Sequence, residues 1–161
     1  MKLQELEQKY EELGKEIEKL KNEKKGKRWK PDNNDDYYVI RHGCVMYDCN
    51  KIQEVTDWDY SQGNCFQTEE EAKEHLENLK TKAELRALAE ELNGDVAVDW
   101  NNRIQDKYYL YISRTINELS SSYVEVHQNQ GTIYCLDPTF KDKAIERIGK
   151  ERLIKMINSG V

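Results

Sequence analysis

The residues with metal or nucleophile chemistry are three histidines and four cysteines, and His42, Cys44 and Cys49 fall close enough together to invite a zinc site, with His75 or His127 as a fourth ligand. Zinc sites usually bring their ligands in pairs, whereas four residues separate Cys44 from Cys49 and no second Cys/His pair follows, so no metal is expected. Asp57, Asp59 and the glutamates at 69–71 offer carboxylates for acid/base work. With no histidine beside them, a polar turn and a capped helix account for these acids better. Neither type of Gly-rich nucleotide loop is present, nor an HExxH, a CxxC or a serine nucleophile elbow. The expectation is therefore a protein that is not an enzyme and uses no cofactor. Cys65 and Cys135 each sit beside an aromatic residue just ahead of a helix, where a small buried side chain is wanted.

Those residues are carried by a chain of 161 residues, 35% charged and 37% hydrophobic, enough for one modest core or two small ones. No run of about 18 apolar residues exists to span a bilayer, and the first residues are charged, so a cytoplasmic location with free thiols is expected. A formal net charge of −6 disfavours general affinity for nucleic acid and suits a basic protein partner.

Two stretches organise the chain. Trp29 precedes Tyr37-Tyr38-Val39-Ile40 and Trp100 precedes Tyr108-Tyr109-Leu110-Tyr111, each by eight residues, and each run leads to a Gly turn, an aromatic and a helix start. The reading is α+β: an N-terminal coiled-coil helix (1–25), a linker (26–36), a first antiparallel-β plus helix unit (37–94) and a similar second one (95–161). Leu3, Leu6, Tyr10, Leu13, Ile17 and Leu20 recur at three- and four-residue steps, the a/d pattern of a coiled coil. In a parallel pair Lys2 would face Glu7 and Glu16 would face Lys21, both attractive. About three heptads are marginal alone, so the stripe needs a partner: a second copy, a target, or the chain's own later half. At the junction with the linker, Lys24, Lys25, Lys27, Arg28 and Lys30 surround Trp29, but acids follow at once, so a solvated hinge is preferred to a nucleic-acid patch.

Strands are expected at 37–42, 44–47, 108–112, 123–126 and 132–135, with a further extended piece through Ile52, Val55 and Trp58 and turns at Ser120–Ser122 and 128–131. Thr68 and Glu71 form a capping box, and Asn93-Gly94 is a stop, which gives a helix of about 25 residues, near 37 Å at 1.5 Å per residue. Ala72, Leu76, Leu79, Ala83, Ala87 and Leu88 are its expected inner face. Asp137 and Pro138 are expected to start the next helix, and Gly149 to interrupt it.

The ten tyrosines remain. Neighbours such as Tyr37 and Tyr38 point to opposite sides of a strand, so some belong to an outer face. Tyr37, Tyr47, Asp57, Trp58, Asp59, Tyr60, Tyr109 and Tyr111 are the candidate protein-binding residues, because rigid aromatic area edged by acids suits an interface. The alternative is that helices cover both faces.

The set Trp29-Lys30-Pro31, Tyr37-Tyr38-Val39-Ile40, Gly43, Trp58, Gly63-Asn64-Cys65-Phe66-Gln67-Thr68-Glu69-Glu70-Glu71-Ala72 and Ala144-Ile145-Glu146-Arg147-Ile148-Gly149 resembles a family of small bacteriophage- and prophage-encoded proteins, over most of 29–161. The resemblance implies a binder, active in the host cytoplasm, that blocks a host defence effector. Anti-CRISPR proteins, with a Cas nuclease as partner, are the leading subclass. It carries over no catalytic residues. A phage assembly or scaffold protein, oligomeric through its heptads, is the second expectation, and a nucleic-acid-associated accessory protein the third.

Overall fold

The computed structural model describes residues 9, 13, 14, 29–32, 35–49 and 52–160. Its elements run β1 (Asp36–Arg41), β2 (Cys44–Cys49), α1 (Gln53–Ser61), β3 (Cys65–Phe66), α2 (Glu69–Asn93), β4 (Lys107–Ser113), β5 (Glu118–Val124), α3 (Phe140–Ile148) and α4 (Lys150–Ser159). The class is α+β, with two small antiparallel sheets ordered β2-β1-β3 and β4-β5. The chain divides into two compact units, Met1–Ala72 and Lys73–Val161. The division falls at 72/73 and not at residue 94 because Leu85, Leu88 and Ala89 of α2 belong to the second core. Of the heptad positions only Leu13 is described, helical and exposed; Leu3, Leu6, Tyr10, Ile17 and Leu20 lie outside the described residues.

In the first unit a two-residue turn joins β1 to β2. His42 and Gly43 take φ of 55° and 74°, the mirror-image turn whose twist matches that of paired strands. Tyr38 then faces Tyr47 and Val39 faces Met46. β3 pairs with the other edge of β1, Val39 opposite Cys65. The Asn64 side chain lengthens this short ladder, accepting from Ile40 N at 3.0 Å and donating to Ile40 O at 2.7 Å. Tyr37, Val39 and Cys65 form the core, with Trp29 and Tyr60 packed on it.

Residues 53–61 are helical, which corrects the extended reading. Ile52, Val55 and Trp58 are β-formers by type, but they recur every three residues, and Asn64 N and Gly63 N bond back to Asp59 O and Tyr60 O to close the helix end. The helix α2 starts as expected: Glu71 N donates to Thr68 Oγ1 at 3.2 Å, and Thr68 N donates to the Glu71 carboxylate at 3.4 Å. Its buried positions, however, are Ala72, Asn78, Thr81, Leu85, Leu88 and Ala89, while Leu79, Ala83 and Ala87 are exposed. The expected face mixed two stripes of the helix.

In the second unit β4 and β5 pair over their full length, Lys107 opposite Val124 to Ser113 opposite Glu118. Ser120, Ser121 and Ser122 are therefore strand residues, and the turn lies at 114–117 with Asn117 at φ 51°. The expected strand at 132–135 is a single bridge, Tyr108 to Cys135, with bonds of 2.7 and 2.9 Å. Asp137 does not begin α3. Its carboxylate accepts from Thr139 N and Oγ1 and from Lys143 Nζ, closing a turn before Phe140; these donors hold it down at a pKa of about 2. Leu110 and Leu119 face Leu85, Leu88 and Ala89 of α2 and Phe140, Ala144, Ile148, Leu153 and Met156 of α3 and α4 in one cluster. Each fully buried large side chain there, such as Phe140 or Leu153, contributes about 2 kcal/mol by leaving water. Gly149 breaks the C-terminal helix in two with φ 98° and ψ 137°.

Lys107 is the one lysine among the buried residues of this unit, at 0% exposure. Its ammonium donates to three backbone carbonyls, Asn102 at 3.0 Å, Gln105 at 2.6 Å and Glu125 at 2.8 Å. The Trp100 ring lies 5.4 Å from the same nitrogen. All three protons are used, and the loop 99–106 is tied to the end of β5.

Candidate protein-binding surface

The antiparallel register separates the faces of the first sheet. Tyr37, Val39 and Arg41 share one side, and α1 supplies Asp59 to it. Asp59 is fully buried; its Oδ2 accepts from Tyr37 Oη at 3.2 Å and from Arg41 Nη2 at 2.6 Å, while Arg41 Nη1 reaches Asp48 at 3.0 Å. Asp59 Oδ1 has no hydrogen-bond partner among the described residues. Burial, with the nearby charges of Asp48 and Asp59, pushes the Tyr37 phenol up to about 12. Burial acts to lower the Arg41 pKa, but Asp59 and Asp48 outweigh it and the guanidinium ends above its ordinary value. Tyr37 and Asp59 are thus corrected as contact residues. Their side chains point under the sheet, where the phenol and the guanidinium both donate to one oxygen of the buried carboxylate.

Tyr47 does lie open, at 60% exposure, edge-on to Tyr38 with ring centroids 5.8 Å apart. Trp58 is 61% exposed, and one helical turn away at each step Val55 and Ile52 (62%) continue an apolar stripe on α1. With Met46, five exposed large hydrophobic side chains fall between residues 46 and 58. Ile52, Val55 and Met46 were missing from the sequence-level set, and their three-residue spacing was the signal that could have found two of them. Asp57 is exposed but engaged: Lys30 lies 2.7 Å away and Gln53 donates at 2.9 Å, and these bonds lower its pKa. The same Asp57 contact raises Lys30, whose ammonium lies 5.5 Å from the Tyr60 ring. Tyr60 itself packs on the core.

Tyr109 and Tyr111 belong to the second unit. Their rings form a run with Tyr134 and Trp100, at centroid steps of 5.9 Å (Tyr111 to Tyr109), 5.8 Å (Tyr109 to Tyr134) and 4.9 Å (Tyr134 to Trp100). The eight candidates therefore divide six and two between the units.

Cys44 and Cys49 occupy the two ends of β2, about 17 Å apart at 3.4 Å per residue, which is too far to share an ion. Among the described residues no group of three or more His, Cys, Asp or Glu side chains is placed to hold a metal. Cys65 and Cys135 are buried, with thiols 4.0 Å from Thr56 O and 3.9 Å from Ala89 O. No described helix is long and apolar enough to cross a membrane. Set against family models, curated proteins and solved structures, the chain matches none of them.

Proposed function

We propose that this chain is a phage-encoded binding protein that inhibits a host defence effector by direct protein contact, with a Cas nuclease as the leading target. The assignment to phage rests on the resemblance given above. The contact mechanism is supported by one observation: the exposed stripe Ile52, Val55 and Trp58 on α1, with Met46 and Tyr47 on the neighbouring strand in sequence. A folded unit that leaves an indole this open next to aliphatic side chains offers the anchor on which interfaces depend, since a few buried aromatics carry most binding energy.

The test is plaquing by a phage that an active CRISPR system of the host restricts. Cells expressing the chain should lose restriction. Trp58→Ala, at an exposed position that leaves folding intact, should weaken target binding about 30-fold, as loss of a 2 kcal/mol anchor does. Unchanged restriction with the wild-type chain sinks the proposal. Unchanged inhibition by Trp58→Ala moves the contact elsewhere.

The finer architecture belongs here too. One β-rich plan used twice is supported by a shared order of parts, which α1 interrupts in the first unit only: a hairpin, then a Cys/aromatic segment returning antiparallel to the first strand (Cys65 to Val39, Cys135 to Tyr108), then a helix four or five residues on. The N-terminal heptads are read as a self-association helix. Leu13, an inward position of that pattern, is exposed in the single chain. Removing residues 1–25 should reduce the mass in solution to that of a monomer, measured by light scattering, while inhibition survives. A monomeric full-length chain would remove the self-association reading, and joint loss of mass and function would favour the assembly alternative.

A further inference from the structure

Beside Trp100 the second unit has a cleft of about 430 Å³ between α2 and the 128–134 segment, walled by Trp100, Tyr134 and Ile133 and rimmed by Arg86, Glu90, Asn93 and Gln128. We propose that this cleft binds an uncharged saccharide, independently of the protein-binding surface on α1. Three observations combine. First, Trp100 is held in place: Lys107 sits 5.4 Å from its ring and ties its loop through Asn102 and Gln105, and Tyr134 packs edge-on at 4.9 Å. A stacking wall fixed before the ligand arrives loses little freedom on binding. The negative face of such a ring attracts the partly positive C–H groups of a pyranose.

Second, the rim mixes donors and acceptors. Arg86 only donates, Glu90 only accepts, and the Gln128 amide does both; Arg86 and Glu90 make no ion pair among the described residues. Asn93 uses its Oδ1 on Leu136 N at 2.7 Å, which leaves its amide N–H groups as donors. Hydroxyl groups, each donor and acceptor at once, match such a set. Third, charge argues against the other stacking ligand, a nucleic acid. A carboxylate in the cleft and a net charge of −6 repel a phosphate backbone. The volume suits one or two sugar rings.

The full-length ¹⁵N-labelled protein titrated with cellotetraose, maltotetraose and chitotetraose tests this. At least one sugar should shift the amides of Gly131, Thr132 and Tyr134 and the Trp100 indole N–H saturably. Gln128→Ala and Glu90→Gln, both at exposed positions that leave the fold intact, should each weaken binding about tenfold. Trp100→Ala should remove it, with its own folding checked by circular dichroism. No shift with any of the three sugars at millimolar concentration overturns the proposal. So do shifts indifferent to Gln128→Ala and Glu90→Gln, and so does tighter binding of adenosine or a ten-residue oligo-dT at the same signals.

Discussion

Lys107→Met should destabilise the second unit by roughly 4 kcal/mol, because methionine fills most of the buried space of the side chain but takes the charged donor away from three part-buried carbonyls. Those carbonyls, of Asn102, Gln105 and Glu125, lie just beyond the Lys107–Val124 end of the β4–β5 ladder, and the ammonium extends the tie from that end into the loop. Lys107→Arg should rescue little, since a planar fork cannot place its donors where a tetrahedral ammonium does. Thermal unfolding followed by circular dichroism should show a fall in Tm on the order of 10 °C for a chain of this size. Amide exchange at 99–106 should speed up even where the protein stays folded. A change below about 1 kcal/mol would mean that water replaces the lysine with little penalty, and Lys107 would not be what holds the loop 99–106.

The second large effect lies under the first sheet. Arg41→Met leaves the Asp59 carboxylate buried against Tyr37 alone, and should cost about 3 kcal/mol, less than a fully buried pair would because Arg41 is partly open and shared with Asp48. Asp59→Leu should cost a similar amount, by removing the carboxylate partner of the Tyr37 hydroxyl and of one arm of Arg41. The double variant should be clearly better than the sum of the two, since neither charge is then left without its partner. Strict additivity in urea unfolding would show that the pair is not coupled. The same site predicts an alkaline weakness. Tyr37 has its pKa raised on folding from 10.0 to about 12, so its contribution is whole below pH 10 and is lost as pH climbs through 12. Tyr37→Phe should remove that part of the pH dependence.

How far the sequence reached can be argued residue by residue. The helix α2 was legible because its signals are local: Thr68 and Glu71 satisfy each other's backbone within four residues, and Gly94 supplies the positive φ of the stop. The extended reading of Ile52 to Trp58 fails because residue type speaks for a strand while spacing speaks for a helix, and spacing prevails. Ser120, Ser121 and Ser122 look like a turn by composition, yet a full ladder with β4 overrides that local preference. Tyr37 and Asp59 were placed on the surface because strand parity says only that Tyr37 and Tyr38 differ, not which side α1 will cover. Lys107 could not have been found at all. Its partners are backbone carbonyls, which every residue carries and no sequence pattern marks.

The joint at Gly149 has a bearing on how this chain can evolve. A methyl group built there would meet no atom within 4 Å, so crowding is no obstacle. The obstacle is the torsion itself, φ 98° with ψ 137°, a region that residues with a side chain essentially do not enter. Drift is free to rewrite the solvent-facing letters on either flank. This single position stays frozen by its backbone alone, where the buried letters beside it, such as Leu153 and Met156, are held by what they touch.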